Sequence, residues 1–330
     1  MSSPQARVTA TVLAAALALA GCTSSTSPPP ESTVDTSTAP DITLRAAEVK
    51  LPGLPGAADR LHVSCASRTF CEVVDETGLS WTWTGTAFAA PVRYAPKGDL
   101  SGLVSCPAAG FCMATENDAA YVLHGTNWAA TPKAAWAGSI VGIACAGPRY
   151  CVAGPATAAG TDLRAWHGQA WTAAPEVDVY ATLSALDCAP DGETCAAAGD
   201  AVTVHHGDGW GAAYRPSATV LAVSCAAGPF CMAVLDGKYA VWRGGTWTER
   251  SFRHGVQPGG LACASAAFCV GTDRDSLQLW NGTEWQPGPA LPSAVQALMF
   301  DLAAGNESCP VDGWCLLVAS GVSYVVSTST

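Results

Sequence analysis

The chain has 330 residues, which is enough for about two average domains or one large all-β domain. Hydrophobic residues make up 49% of the chain and charged residues only 13%, so the composition excludes an intrinsically disordered protein. The formal net charge of −11 and the lack of a Lys/Arg cluster argue against electrostatic docking on nucleic acid or anionic lipid. The 15 cysteines indicate an oxidising compartment.

The first 21 residues have the features of a secretory signal peptide. Arg7 precedes an apolar run at 8–20, which is too short for a retained membrane helix. The run ends in Leu19-Ala20-Gly21-Cys22, which resembles the bacterial lipobox, in which the cysteine becomes the lipidated N-terminus after cleavage. We therefore expect lipidation at Cys22 and an extracytoplasmic protein anchored to the bacterial cell membrane. The alternative is an ordinary secretory signal followed by a chance cysteine.

Residues 23–40 form a low-complexity segment. Ser, Thr or Pro occupies 14 of these 18 positions, and such a composition cannot bury a core. An extended tether of this length reaches roughly 50 Å. It is either a bare linker or a glycosylated stalk. The predicted organisation is a signal peptide at 1–21, a lipidated cysteine and tether at 22–41, and one folded domain at 42–330.

The fourteen remaining cysteines form seven close pairs. Five residues separate the two cysteines in six pairs, and six residues separate them in the fourth pair. The first cysteines of successive pairs are 41, 39, 43, 37, 38 and 46 residues apart, a period typical of β-propeller blades. The pairs are Cys65/Cys71, Cys106/Cys112, Cys145/Cys151, Cys188/Cys195, Cys225/Cys231, Cys263/Cys269 and Cys309/Cys315.

Each repeat also has the pattern of four short strands, named A to D from the propeller channel outward. An aromatic residue precedes the second cysteine in six of the seven repeats, and β-prone residues follow it. Alternating stretches such as 239–242 then predict strand C. A Gly-x-x-aromatic turn connects strands C and D in six repeats. These turns are Gly85/Phe88, Gly125/Trp128, Gly168/Trp171, Gly207/Trp210, Gly244/Trp247 and Gly282/Trp285.

We expect each cysteine pair to form a disulfide across an A–B hairpin, because facing Cβ atoms lie close together in a tight hairpin. Zinc binding is the alternative. Zinc sites need cysteines two to four residues apart and two converging pairs, whereas each pair here belongs to its own repeat and has no accompanying histidine.

The two ends of the repeat region complement each other. The seventh repeat stops after the strand at 322–326, without a Gly-x-x-Trp turn or an outer strand. Residues 42–50 precede the first cysteine pair and have no other place in the pattern. A linear solenoid has no need of such matched ends and requires polar caps. The sequence therefore predicts an all-β, seven-bladed β-propeller with four-stranded blades, closed by an N-terminal strand in the last blade.

The repeat unit Ser-Cys-x5-Cys-x-Ala/Val…Gly…Gly-x-x-Trp resembles the disulfide-bearing propeller repeats of secreted actinobacterial lipoproteins. The resemblance covers residues 42–330 and implies an architecture and a compartment, but no activity. Residues 75–81 are also similar to the Asp-box of sialidases, a motif that most other repeats lack. The paired glycines of kelch repeats occur only at Gly244-Gly245.

Two sets of loop residues are candidate sites. The B–C turns carry acids in six blades, which is either turn chemistry or an acidic rim that attracts a basic partner or a cation. Those acids are Asp75, Glu76, Glu116, Asp118, Asp162, Asp200, Asp236, Asp273 and Asp275. The D–A loops carry aromatic and basic residues that can bind a sugar or an anionic group; the alternative is that their aromatic rings pack between blades. The predicted ligand-binding residues are Tyr94, Trp136, Tyr214, Arg215, Phe252, Arg253 and His254.

The sequence favours a non-catalytic binding or scaffold module that presents its B–C/D–A loop face to an envelope protein or glycan. The histidines lie in different blades and no Gly-x-Ser-x-Gly elbow occurs, so we expect no catalytic residues, no metal and no cofactor. We also expect a monomer that binds no nucleic acid and contacts the membrane only through its lipid. The alternative is a glycan-active hydrolase or lyase with two carboxyl groups facing each other across the channel mouth. Asp59, Asp99 and Asp178 lie near D–A loops.

Overall fold

The computed structural model describes most of the predicted domain, and the regular elements of these described residues are all β-strands. The described residues are 44–54, 60–96, 102–134, 136, 138–155, 163–174, 177, 183–190, 192, 194–207, 209–253, 257–273, 276–290, 306–319 and 322–328. The predicted signal peptide, Cys22 and the tether lie outside them. In this part of the chain there is no helix of the length and hydropathy needed to cross a membrane.

In the described residues, 28 strands form seven antiparallel sheets of four strands each, which are the blades of a β-propeller, as predicted. From the inner to the outer strand, blades 1 to 4 are β2 Leu61–Ser67, β3 Phe70–Asp75, β4 Leu79–Trp83 and β5 Val92–Arg93; β6 Leu103–Ala108, β7 Phe111–Glu116, β8 Ala119–His124 and β9 Asn127–Ala130; β10 Ile140–Gly147, β11 Tyr150–Pro155, β12 Arg164–Trp166 and β13 Trp171–Ala173; and β14 Ala185–Cys188, β15 Thr194–Ala198, β16 Val202–His206 and β17 Gly209–Trp210. Blades 5 to 7 are β18 Val220–Ala226, β19 Phe230–Leu235, β20 Lys238–Arg243 and β21 Thr246–Ser251; β22 Gly260–Ser265, β23 Phe268–Thr272, β24 Ser276–Trp280 and β25 Trp285–Ala290; and β26 Glu307–Val311, β27 Trp314–Ala319, β28 Val322–Thr328 and β1 Leu44–Val49.

The ring closes through the N-terminal strand, which confirms the prediction from the two chain ends. Strand β1 pairs with β28 in an antiparallel register that runs from Leu44↔Thr328 to Val49↔Ser323. Each innermost strand packs beside the innermost strand of the next blade, and β26 packs beside β2. A closed ring leaves only short sheet edges, which protects the protein against edge-to-edge pairing.

One disulfide joins strands A and B in every blade, with the predicted pairing. In blade 1, for example, the two cysteines lie opposite each other in register. In the chain-entropy model a loop this short stabilises the fold by about 2 kcal/mol. Together the seven disulfides indicate an oxidising, extracytoplasmic environment. The bridges are Cys65–Cys71, Cys106–Cys112, Cys145–Cys151, Cys188–Cys195, Cys225–Cys231, Cys263–Cys269 and Cys309–Cys315.

The tryptophans of the C–D turns tie blades 2 and 3 to the blades before them. The turn glycines have positive φ angles, such as +66° at Gly125, which side chains with a Cβ rarely adopt. The indole N–H of Trp128 donates a hydrogen bond to Ser80 Oγ in the preceding blade, at 3.0 Å. The indole N–H of Trp171 likewise donates to Thr131 Oγ1, at 3.1 Å. These tryptophans are therefore packing residues.

The serine before the first cysteine links the blades around the channel. The hydroxyl oxygen of Ser64 in blade 1 accepts a hydrogen bond from the backbone N–H of Cys106 in blade 2, at 2.8 Å. A bond of this kind contributes about 1 kcal/mol. Ala144 and Ala262 stand at the equivalent position in blades 3 and 6 and cannot accept it. The other bonds of this type join Ser105 to Cys145, Asp187 to Cys225, Ser224 to Cys263 and Ser308 to Cys65.

Candidate functional site

The inner strands of all seven blades surround an open central channel with a volume of about 490 Å³. Serines, cysteines and aliphatic residues make up most of its lining. The titratable side chains in the lining are those of Arg60, His62, Asp187 and Glu307, within the described ranges. Buried ionisable groups in a concave site are candidates for function.

The two cysteines of each bridge occupy different places relative to this channel. The first cysteine of every pair, on strand A, lines the channel; these residues are Cys65, Cys106, Cys145, Cys188, Cys225, Cys263 and Cys309. The second cysteine, on strand B, is fully buried and does not line it; these residues are Cys71, Cys112, Cys151, Cys195, Cys231, Cys269 and Cys315. All fourteen sulfur atoms are in disulfides, so none is a thiolate that could attack a substrate or bind a metal. The cysteines are therefore part of the frame of the site.

His62 lies at the start of the channel wall in β2 and is 5% exposed. Burial, helped by the charge of the nearby Arg60, lowers the pKa of His62 to about 4. The imidazole is therefore neutral at pH 7, which suits a buried structural residue.

Asp187 lies in β14 and connects two blades. Its Oδ2 atom accepts hydrogen bonds from the hydroxyl of Ser224, at 2.9 Å, and from the backbone N–H of Cys225, at 2.8 Å. Burial raises the pKa of Asp187 to about 6, although these hydrogen bonds act in the opposite direction. The carboxyl group thus takes the place of the serine found at four other interfaces and holds blade 4 against blade 5.

Glu307 breaks the sevenfold pattern of the channel wall. It stands two positions before the first cysteine of blade 7, and the same position is aliphatic in the other six blades. The six aliphatic residues are Val63, Val104, Ile143, Leu186, Val223 and Leu261, and all seven side chains line the channel.

The carboxyl group of Glu307 reaches from β26 across to blade 6. It fills the space beside Gly260, where an added Cβ would overlap Oε1 of Glu307 and lie 2.7 Å from Oγ1 of Thr272. Gly260 and Thr272 lie opposite each other in the β22–β23 hairpin. Among the described residues, neither carboxylate oxygen of Glu307 has a hydrogen-bond partner, and Thr272 Oγ1 has none either. Glu307 is 5% exposed, and this burial raises its pKa to about 8.

The two acids of the channel are held in different surroundings. Burial accounts for the raised pKa of Glu307, without a contribution from Asp187. Hydrogen bonds to blade 5 hold the carboxyl group of Asp187. Asp187 belongs to blade 4 and Glu307 to blade 7. The other acids predicted near the channel mouth, Asp59, Asp99 and Asp178, lie outside the described residues.

The four aromatic residues predicted to bind a ligand all pack between blades. Each ring lies against the outer-strand tryptophan of the following blade. The pairs, with their ring-centroid distances, are Tyr94–Trp128 at 5.5 Å, Trp136–Trp171 at 5.2 Å, Tyr214–Trp247 at 5.3 Å and Phe252–Trp285 at 6.2 Å. None of the four lines the channel in the part of the chain that is described. The structure thus does not bring them together at the channel mouth, and a ligand-binding role for them stays a prediction.

The two described basic residues of the same predicted set, Arg215 and Arg253, follow different blades. Arg215 is exposed. The Nη1 atom of Arg253 lies 3.2 Å from Oε2 of Glu284, at a surface groove of about 580 Å³ between blades 5 and 6. His254 lies outside the described residues. Ligand binding by these three residues also stays a prediction.

One acid of the B–C turns, Asp75, stabilises its own turn. Asp75 Oδ1 accepts hydrogen bonds from the backbone N–H groups of Thr77, at 2.9 Å, and Leu79, at 2.8 Å. Asp118 forms an exposed ion pair with Lys133, at 3.2 Å. Over the described ranges, no three His, Cys, Asp or Glu side chains are placed to hold a metal ion together. Asp162 and Asp275 lie outside those ranges.

Comparisons with known proteins agree on the fold. No protein-family model and no curated protein matches the sequence. The solved structure of YCF48 bound to D1 peptide is similar, with a TM-score of 0.62 and 15% identity over 87% of this chain and 97% of that chain. A streptogramin B lyase gives a TM-score of 0.67 at 10% identity, over 87% and 98% of the two chains. Virginiamycin B lyase from Staphylococcus aureus gives 0.67 at 8% identity, over 86% and 99%. At such low identities the likeness shows the propeller fold alone.

Glu307 is not among the residues predicted from the sequence, because the cysteines and the turns dominate the repeat pattern. A signal was nevertheless present. Alignment of the seven repeats on their first cysteine places one acid in a column of six aliphatic residues. The alignment does not show whether Glu307 has a hydrogen-bond partner, because its neighbours Gly260 and Thr272 belong to another blade.

Proposed function

We propose that this protein is a lipid-anchored, extracytoplasmic binding scaffold whose propeller presents its channel and loop face to an envelope protein or glycan. The observation that carries the proposal is the open channel with a buried carboxyl group that has no partner among the described residues. Buried polar groups are normally hydrogen-bonded, so an unpartnered one at a cavity favours a binding role.

Three further observations support this proposal. The closed ring with a disulfide in each blade is a rigid frame on which loops are held ready for a partner, which lowers the entropic cost of binding. The net charge of −11 favours a basic partner over an acidic one. One solved propeller of similar fold has a bound peptide, which is compatible with a protein partner here.

A glycan-active enzyme is the second candidate function. The raised pKa values of Asp187 and Glu307 favour it, since carboxyl groups of this kind serve as general acids in glycan hydrolysis. The hydrogen bonds that hold Asp187 to blade 5 favour a binding module instead.

Photo-crosslinking in living cells tests the binding proposal with the full chain. A photoreactive amino acid at position 60 lies in the channel lining, and one at position 48 lies on the exposed outer strand of blade 7. We expect a discrete adduct from position 60 and none from position 48. Equal labelling from both positions would contradict a channel-facing partner. Cleavage of envelope glycan by the purified protein would favour the enzyme.

A further inference from the structure

We propose that Glu307 and Thr272 form a binding site for a primary ammonium group that enters from the central channel. The inference deepens the proposed binding function, and it depends on that function only for the origin of the natural ligand. It rests on the position of Glu307 in the channel wall, on the packing of its carboxyl group against Gly260 and Thr272, and on three oxygen atoms without partners among the described residues.

The equivalent space between blades 3 and 4 is filled without a carboxyl group. Gly142 and Gly154 occupy the positions of Gly260 and Thr272. An added Cβ at Gly142 would lie 2.8 Å from Leu183 Cδ2 and 3.3 Å from Leu186 Cβ, so leucine side chains close the space. The fold therefore accepts an aliphatic residue here. A carboxyl group at this position is not a requirement of blade packing.

The donor and acceptor chemistry points to an ammonium group. The two oxygens of Glu307 and the hydroxyl oxygen of Thr272 are three buried acceptors at one place, with a single ionisable charge among them. Glu307 lines the channel and Thr272 does not, so a ligand reaches these oxygens when the carboxyl group turns out of the space beside Gly260. A primary ammonium has three N–H donors, one positive charge and no acceptor. Calcium requires six to eight oxygen ligands, and magnesium a near-ideal octahedron. The described residues offer no cluster of three His, Cys, Asp or Glu side chains for such an ion.

Binding is coupled to ionisation of Glu307. Without a ligand, burial raises the pKa of the Glu307 carboxyl group to about 8, so this group holds its proton at pH 7. Arg60 and His62 on the neighbouring blade 1 do not contribute to that rise. A bound ammonium stabilises the carboxylate, and the carboxyl proton passes to solvent. At pH 7 the site should therefore release close to one proton for each ammonium bound.

Calorimetric titration of the full chain with n-pentylamine tests the site. We expect binding whose apparent enthalpy varies with the ionisation enthalpy of the buffer, as proton release requires. Glu307→Gln keeps the shape of the side chain and should weaken binding at least about tenfold, because it removes the only charge at the site. Thr272→Val should weaken binding about fivefold through the loss of one hydrogen bond. The control Glu48→Gln removes an exposed carboxylate from the same blade and should leave binding unchanged.

The origin of the ammonium is tested with two further probes. Binding of Nα-acetyl-lysine amide, lost on Nε-acetylation, supports a lysine side chain of a partner protein. Binding of n-pentylamine alone supports a small amine. Folded Glu307→Gln protein that binds the amine as tightly as wild type overturns the proposal, and so does a wild-type protein that binds neither probe at about 50 mM. These titrations need no envelope partner, so they can fail or succeed independently of the crosslinking test above.

Discussion

Glu307 should make the fold less stable as the pH rises. Its pKa is about 8 in the folded protein, above its value of 4.5 in the absence of burial. When the pKa of a group is higher in the folded protein than in the unfolded chain, its full contribution to stability is present below the pKa of the unfolded chain. This contribution is lost as the pH rises through the pKa of the folded protein. The relevant window therefore runs from pH 4.5 to about pH 8. Glu307→Gln removes the ionisation but keeps the shape, so its stability should lack this decline.

The size of the effect follows from the pKa shift. A pH of 7 lies 2.5 units above the pKa of 4.5 that Glu307 has in the unfolded chain, so its carboxyl group is ionised there. In the folded protein the same group still holds its proton at pH 7. At about 1.4 kcal/mol for each unit, the wild type loses about 3 kcal/mol between pH 4.5 and pH 7. That loss is a large fraction of a typical folding stability of about 5–15 kcal/mol. We expect Glu307→Gln to match the wild type near pH 4.5 and to exceed it by about 3 kcal/mol at pH 7.

Urea unfolding of both proteins between pH 4.5 and pH 8, with the disulfides intact, measures this difference. Glu72, Asp187 and His62 also have shifted pKa values, but they are present in both proteins, so their contributions cancel in the comparison. Glu48→Gln serves as a control for the loss of one negative charge and should change the stability by less than about 0.5 kcal/mol. A Glu307→Gln protein that is less stable than the wild type at pH 7 would refute the reasoning, because it would mean that the carboxylate has a stabilising partner.

Three further predictions concern the frame and the anchor. Reduction of all seven disulfides should remove about 15 kcal/mol of stabilisation, so the reduced chain should lose its near-ultraviolet circular dichroism; a native spectrum after verified reduction would contradict this. Ser64→Ala should lower the free energy of unfolding by about 1 kcal/mol, because it deletes the bond from the Cys106 N–H. An unchanged urea midpoint would show that the bond adds nothing to stability. Cys22→Ala should move the protein from the membrane fraction to the soluble fraction, and unchanged fractionation would rule out lipidation at this residue.

Most of the architecture could be predicted because its signals are local in the chain. The two cysteines of each bridge are six or seven residues apart, so the hairpin that joins them forms within one repeat. The C–D turn needs a glycine at a positive φ angle, and the residue type reveals that need directly. The closing strand could be predicted because the last repeat lacks one strand and the N-terminal segment 42–50 supplies one.

The candidate site depends on contacts between blades, which local patterns do not encode. The tyrosine at position 94 has the residue type of a sugar-binding platform, but its ring packs on Trp128 of the next blade. Glu307 has the residue type of an ordinary surface acid, but it is buried against Gly260 and Thr272, about 40 residues earlier in the chain. Burial and partner number arise only when separate blades pack together. The repeat pattern therefore specified the frame, and the packing of neighbouring blades specified which polar groups of that frame remain available to a ligand.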